Sequence, residues 1–260
     1  MFYPVVHSVL ADKKGGEIFR LFTPWHFAYI FIALAAVALV CVYARRKGSA
    51  AGKKAAAFCG SAAFALYVAD FFLMPLAYGE IDIEKLPFHA CTATCVMCFL
   101  SRRVGWLKPW RVHFALLGFV SNFVYLIYPA GVMWHAVGPL SYRVIQTLLF
   151  HAIMTVHCFL TLVYEGEGLP FRRAWRDLSV IAAMTLWALL GNALYCGTAD
   201  GYSNDFNWFF VTADPFGMID KSVAVWVMPF LNIALFFAVE MLIYCAFHAA
   251  CRARKNKNGE

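Results

Sequence analysis

The sequence predicts an all-α protein: a polytopic transmembrane helical bundle of about seven spans, with its N-terminus outside and its C-terminus cytoplasmic. Three observations predict it. Of the 260 residues 62% are hydrophobic, the mean hydropathy is +0.66, and only 14% are charged, against about 25% charged in an ordinary soluble domain. Seven apolar runs approach the roughly 20 residues needed to cross a bilayer core. The charges between those runs alternate from basic to acidic along the chain, as the positive-inside rule requires. The net charge of +7 is then a matter of topology, and nucleic acid is not an expected partner.

The runs fall at residues 25–43, 55–78, 86–101, 111–128, 141–164, 178–197 and 222–248. The first opens on "FTPWH", with Thr23 in the N-cap position and Pro24 at the first helical position, where its missing N–H costs nothing. The third, 86–101, is short for a span. The stretch 205–216 is apolar but shorter still, and reads as an interfacial or re-entrant loop. Arg45, Arg46, Lys47, Lys53 and Lys54 lie between runs one and two. Arg102, Arg103, Lys108 and Arg111 follow run three, Arg172, Arg173 and Arg176 follow run five, and Arg252, Arg254, Lys255 and Lys257 form the tail. The opposite loops hold Glu80, Asp82 and Glu84, then Asp200, Asp205, Asp214 and Asp220. This divides the chain into an extracytoplasmic segment 1–22, a transmembrane domain 23–250 and a basic cytoplasmic tail 251–260, in a multi-pass protein of the cell membrane. Asp12, Lys13, Lys14 and Glu17 do not suit a cleaved signal peptide. Trp25, Trp106, Trp110 and Trp134 fall near run ends, as interfacial aromatics do.

Polar residues inside apolar spans are costly and mark the bundle interior. Asp70, Cys91, Asn122, His151, Asn192 and Asn232 all fall in the outer half or near the midplane of their runs. At 1.5 Å per residue, Cys91 is about 7 Å, His151 about 14 Å and Asn232 about 15 Å below the start of its run. Glu240 is the exception, toward the cytoplasmic side, where it is expected to snorkel to the interface. Helical spacing adds a second constraint. Cys91, Thr94, Cys95 and Cys98 share one stripe; Thr147, His151, Thr155 and Cys158 share another; Ala115, Gly118 and Asn122 form a small-residue stripe suited to close helix approach. His89 and His157 stand off those stripes, His157 by about 240° from His151. His7, His113, His135 and His248 lie near run ends and are assigned no role.

The chemistry of these residues stays open on spacing alone. Cys91 is either a buried inert thiol or a nucleophile, since a thiolate needs a base or a positive helix end to form at neutral pH. The cysteine spacing matches no zinc or cluster signature, so no metal and no other cofactor is expected. The nine cysteines lie mostly in apolar runs, where Cys is a small hydrophobe, and do not suggest a disulfide framework. His151 is either a general base or an interhelical hydrogen-bonder. Asp70 is protonated, paired with a histidine that it orients, or open to water in a cavity. The asparagines are interhelical glue or oxyanion donors.

"LPFHAC" at the start of one helix, "NFVYLIYPAG" at the end of the next and "YRVIQTLLFHAIMTVHCFLTL" after it resemble the YwaF-like integral membrane proteins, whose eukaryotic relatives form the transmembrane protein 164 family. "FTPWHF" and "GNALY" are similar too, and the likeness spans residues 20–245. The resemblance implies a membrane acyltransferase acting on phospholipids, with a catalytic cysteine and histidine at Cys91 and His151. Depth and helical spacing prefer the same two residues, and the leading expectation is a thioester at Cys91, formed from a phospholipid and passed to a lysophospholipid, with Asn122 or Asn192 donating to the oxyanion and Asp70 orienting a histidine. With water as acceptor the same site is a lipid hydrolase. Phe88 and His89 depart from the Leu or Gln of many relatives, which leaves head-group and acceptor preference open. The rival from another class is a proton- or cation-coupled transporter, or a complex subunit, in which Asp70, His151 and Glu240 line a path.

Overall fold

The computed structural model describes residues 16–78, 83–133, 136–166, 169–195, 207–215 and 217–258. Most of the segment 1–22, the acidic loop residues Glu80, Asp82, Asp200 and Asp205, and Trp134 and His135 lie outside them. So do the side chains of the basic tail. Every regular element among the described residues is helical. Seven helices of a dozen residues or more stand where seven runs were expected: α1 (Pro24–Lys47), α2 (Ser49–Tyr78), α3 (Ala90–Ser101), α4 (Arg111–Ile127), α5 (Tyr142–Glu165), α6 (Ala174–Tyr195) and α7 (Lys221–Asn258). Six stretches containing these helices are long and apolar enough to cross a membrane. The exception is α3, whose 12 residues reach only about 18 Å.

The chain divides into two compact units. The first comprises Met1–Lys85 and Ser121–Tyr164. Here α1 leads into α2 through a single residue, Gly48, at φ +88°. That left-handed backbone suits glycine, which carries no Cβ, and the Gly48 N–H closes α1 on the Ala44 carbonyl at 3.0 Å. Pro24 begins α1 as expected, but the Thr23 hydroxyl does not cap the helix. It donates back to the Arg20 carbonyl at 2.8 Å. His26 takes up the neighbouring turn instead: its Nδ1 accepts the Phe22 N–H at 3.0 Å, so its Nε2–H donates to the Leu126 carbonyl at 3.1 Å. Small residues allow close packing of α2 against α5. A Cβ on Gly52 would fall 2.5 Å from the Tyr164 ring, and one on Gly60 2.7 Å from the His157 ring. Ala44, Ala56, Val156 and Leu160 complete that core.

The second unit comprises Leu86–Val120 and Glu165–Glu260. Glu165 fastens one end of it, accepting from Arg102 Nη2 at 2.7 Å and Arg111 Nη1 at 2.5 Å. The sharp step from α3 to α4 is thereby fixed by charge-assisted bonds. Asp220 caps α7: its Oδ1 accepts the Ser222 hydroxyl at 2.5 Å and the Ser222 N–H at 2.9 Å. The hydroxyl and then the N–H hold this carboxyl below the usual carboxylate range.

Candidate functional site

Cys91 stands at the entry of α3 in the second unit. The sequence places Pro87 in the first helical turn and Cys91 in the second. The helix instead begins at Ala90, with His89 as an extended N-cap at φ −76°, ψ 147°. Cys91 is therefore the second helical residue, inside the first turn, where the positive end of the macrodipole favours negative charge. The cause is tertiary. The Phe88 ring is drawn onto α6, stacking on Trp187 with centroids 5.0 Å apart and meeting Trp208 at 5.0 Å. Gly191 makes room, since a Cβ there would lie 2.4 Å from the Phe88 ring. The Pro87 carbonyl accepts Trp187 Nε1–H at 2.7 Å. Cys91 is partly exposed, whereas Thr94, Cys95 and Cys98 behind it on the stripe are buried.

Part of the apolar stretch expected as an interfacial or re-entrant loop is buried in the same unit. Trp208–Phe210 forms a 3₁₀ turn, with Trp208, Phe209 and Val211 buried. Phe209 and Phe210 both adopt left-handed backbone, φ 58° and 54°, a conformation that costs on the order of 1–3 kcal/mol per non-glycine residue. Three polar side chains hold it. Asn192 accepts the Trp208 N–H at 3.1 Å and donates to the Ala188 and Trp208 carbonyls at 2.9 and 3.3 Å. Asn232 donates to the Phe209 and Phe210 carbonyls at 2.6 and 2.9 Å. His89 Nδ1 accepts the Phe209 N–H at 3.4 Å. Asn192 thus spends both amide hydrogens on backbone carbonyls.

His151 lies midway along α5 in the first unit, buried. Its Nδ1–H donates to the Thr147 carbonyl at 2.7 Å, one turn earlier. Since a carbonyl only accepts, this bond fixes the tautomer and makes Nε2 the basic nitrogen. Tyr125 stacks flat on the imidazole, centroids 3.8 Å apart and planes 9° from parallel, and Phe150 meets it edge-on at 5.0 Å. His157 is occupied differently: its Nδ1–H donates to the Ala56 carbonyl at 2.7 Å, with the ring pressed over Gly60.

Asp70 is buried, with Lys85 Nζ at 3.0 Å and the Tyr142 hydroxyl donating at 3.0 Å. The histidine expected as its partner is not among these groups: Lys85 pairs with it as a cation and Tyr142 donates a hydrogen bond. Asn122 is fully buried on α4. Asp70, Asn122 and His151 thus belong to the first unit, and Cys91 and Asn192 to the second.

One further expectation is corrected: Glu240 does not snorkel; it is 0% exposed. His113, to which the sequence assigns no role, is buried and its Nδ1 meets Asp177 Oδ1 at 2.6 Å. Asp177, which sequence reasoning passes over, also accepts the Tyr244 hydroxyl at 2.5 Å. The available signal was an acid in the first turn of α6 and a Glu and Tyr one turn apart on α7.

Against known families, the family model of the TMEM164 family matches residues 21–249. The chain belongs to the TMEM164 family. The matched range takes in all seven helices up to the last turns of α7, so the membrane-spanning part of this TMEM164-family protein is the family's own domain. No curated protein and no solved structure matches the chain. With the apolar helices, the match makes this TMEM164-family member a multi-pass protein of a lipid bilayer.

Proposed function

We propose that this protein is an acyltransferase of the cell membrane that moves an acyl chain from a phospholipid to a lysophospholipid through Cys91 and His151. The observation that carries the reading is the Nδ1–H bond of His151 to Thr147. It presents Nε2 as a base in a ring held by Tyr125, the arrangement by which a general base serves a nucleophile. Cys91 in the first turn of α3 supports its half of the pair.

In this mechanism His151 Nε2 takes the Cys91 thiol proton as sulfur attacks the ester carbonyl. The ester C–O bond breaks, the alkoxide leaves with the proton from His151, and the acyl chain stays on Cys91 as a thioester. An acceptor hydroxyl then gives its proton to His151 and attacks the thioester. The Cys91 thiolate departs and is reprotonated. Asn192 is committed to the 207–213 turn, so Asn122 is the proposed oxyanion donor. Water in place of the acceptor would make the same steps a hydrolysis.

The test is turnover by the purified protein on mixed phospholipids with labelled acyl chains and added lysolipid. Transfer to lysolipid that disappears in Cys91→Ser is the expected result. Equal turnover by Cys91→Ser and the unaltered protein overturns the assignment.

A further inference from the structure

The second unit holds a second polar layer, away from Cys91. Asp177 lies near the start of α6 and Asn192 near its end, about 22 Å apart along the axis. Around Asp177 gather His113 from α4, Glu240 and Tyr244 from α7, and Arg173 from the 171–173 turn, within electrostatic reach of Tyr244. These are the titratable and charged groups that act on Asp177, Tyr244 or Glu240 among the described residues.

The hydrogen bonds assign the charges. Asp177 Oδ2 accepts the Tyr244 hydroxyl and Oδ1 meets His113 Nδ1; taken as the anion of the cluster, Asp177 satisfies both, with His113 donating and Tyr244 keeping its proton. Glu240 is 0% exposed. Neither of its carboxylate oxygens has a hydrogen-bond partner among the described residues, and it lies within electrostatic reach of Asp177. An ionised Glu240 would be a buried charge with no donor, facing a second negative charge; burial of that kind is relieved by neutralisation. A hard metal cation asks for six or more oxygen ligands, whereas this cluster offers the two oxygens of Glu240 and an aspartate already engaged on both sides. A proton asks for one.

We propose that Glu240 is a proton-binding site, held beside the fixed anion Asp177 by His113 and Tyr244. Loading keeps α6 and α7 together at this level. Release sets a second negative charge within electrostatic reach of Asp177, with no hydrogen-bond donor on Glu240 among the described residues, so proton occupancy is tied to the α6–α7 contact. The site is independent of Cys91 and of acyl transfer.

Infrared spectroscopy of the full chain in lipid nanodiscs, made with carboxyl-labelled glutamate, reads this directly. At pH 7 the protein shows the carbonyl stretch of a protonated carboxylic acid. That band shifts with the glutamate label and is lost in Glu240→Gln. Asp177→Asn, which removes the neighbouring anion, moves loss of the band to lower pH. Absence of any label-sensitive acid band at pH 7 in the unaltered protein overturns the proposal, as does its survival in Glu240→Gln. Absence of the band in the labelled unaltered protein rejects the site by itself, even where the variants fold poorly.

Discussion

At His151 a single backbone acceptor decides what the ring can do. With Nδ1–H given to Thr147, replacement by alanine removes the proposed base, and acyl transfer should fall by about 10²–10⁴-fold with little loss of folded protein. His157→Ala should do the reverse, because that ring ties α5 to Ala56 and fills the space over Gly60: normal specific activity, lower thermal stability. Both are read from turnover per folded molecule alongside melting curves. Asp70 makes a comparable case. Lys85→Met strands a buried carboxylate with only Tyr142 as donor, and should cost on the order of 3 kcal/mol. The double variant Asp70→Leu with Lys85→Met removes both charges and should recover most of the loss, a non-additivity that denaturation of the four proteins measures. The polar positions themselves were legible in the sequence, since a charge inside an apolar run stands out by type. Their partners were not. Lys85 and Tyr142 are far from Asp70 along the chain, and depth along a helix does not say which face packs. For the same reason Glu240 reads as interfacial and is buried.

Among the elements, α3 departs most from its sequence expectation. Hydropathy located it, because apolar content survives any error of register. Its first residue was misplaced because Pro87 is an ordinary helix opener, whereas the Trp187 and Trp208 rings hold Phe88, in the space Gly191 leaves, and Trp187 and Phe209 bond Pro87 and His89. That packing puts Cys91 in the first turn. Gly191→Ala tests the link: its Cβ would lie 2.4 Å from the Phe88 ring, an overpacking worth about 1–3 kcal/mol. The expected outcome is a stability loss together with reduced labelling of Cys91 by a thiol-reactive probe, as the α3 entry shifts. Unchanged labelling in a destabilised protein would separate Phe88 packing from the placement of Cys91. The 207–213 turn was legible only as too short to span. Its left-handed phenylalanines rest on Asn192 and Asn232, which no local pattern reveals.

At the scale of the whole chain, the run count and the helix lengths pull apart. Six stretches can cross the bilayer, while the charge alternation needs seven crossings to keep Arg102, Arg103, Lys108, Arg172, Arg173 and Arg176 on one side with Arg45, Arg46 and Lys47. Non-helical backbone at membrane depth is tolerated where protein covers it, and residues 86–89 bury Phe88 against α6 in that way. We predict seven crossings on that charge pattern, with residue 255 and the 45–54 loop on the same side; accessibility of single reporter cysteines at the two places checks this, and opposite sides would reject it. The membership in the TMEM164 family and the helical count were within reach of the sequence, because both rest on composition and short motifs. The chemistry is the claim that most needs a direct measurement. Incubate the purified protein with a phospholipid carrying a labelled acyl chain, quench, and treat with neutral hydroxylamine, which cleaves thioesters. The expected result is a protein-bound label released by hydroxylamine, absent in Cys91→Ser and strongly reduced in His151→Ala, since an ordinary thiol with a pKa of about 8.5 is mostly protonated at pH 7 without a base. A label that persists in Cys91→Ser, or that hydroxylamine leaves in place, would contradict it.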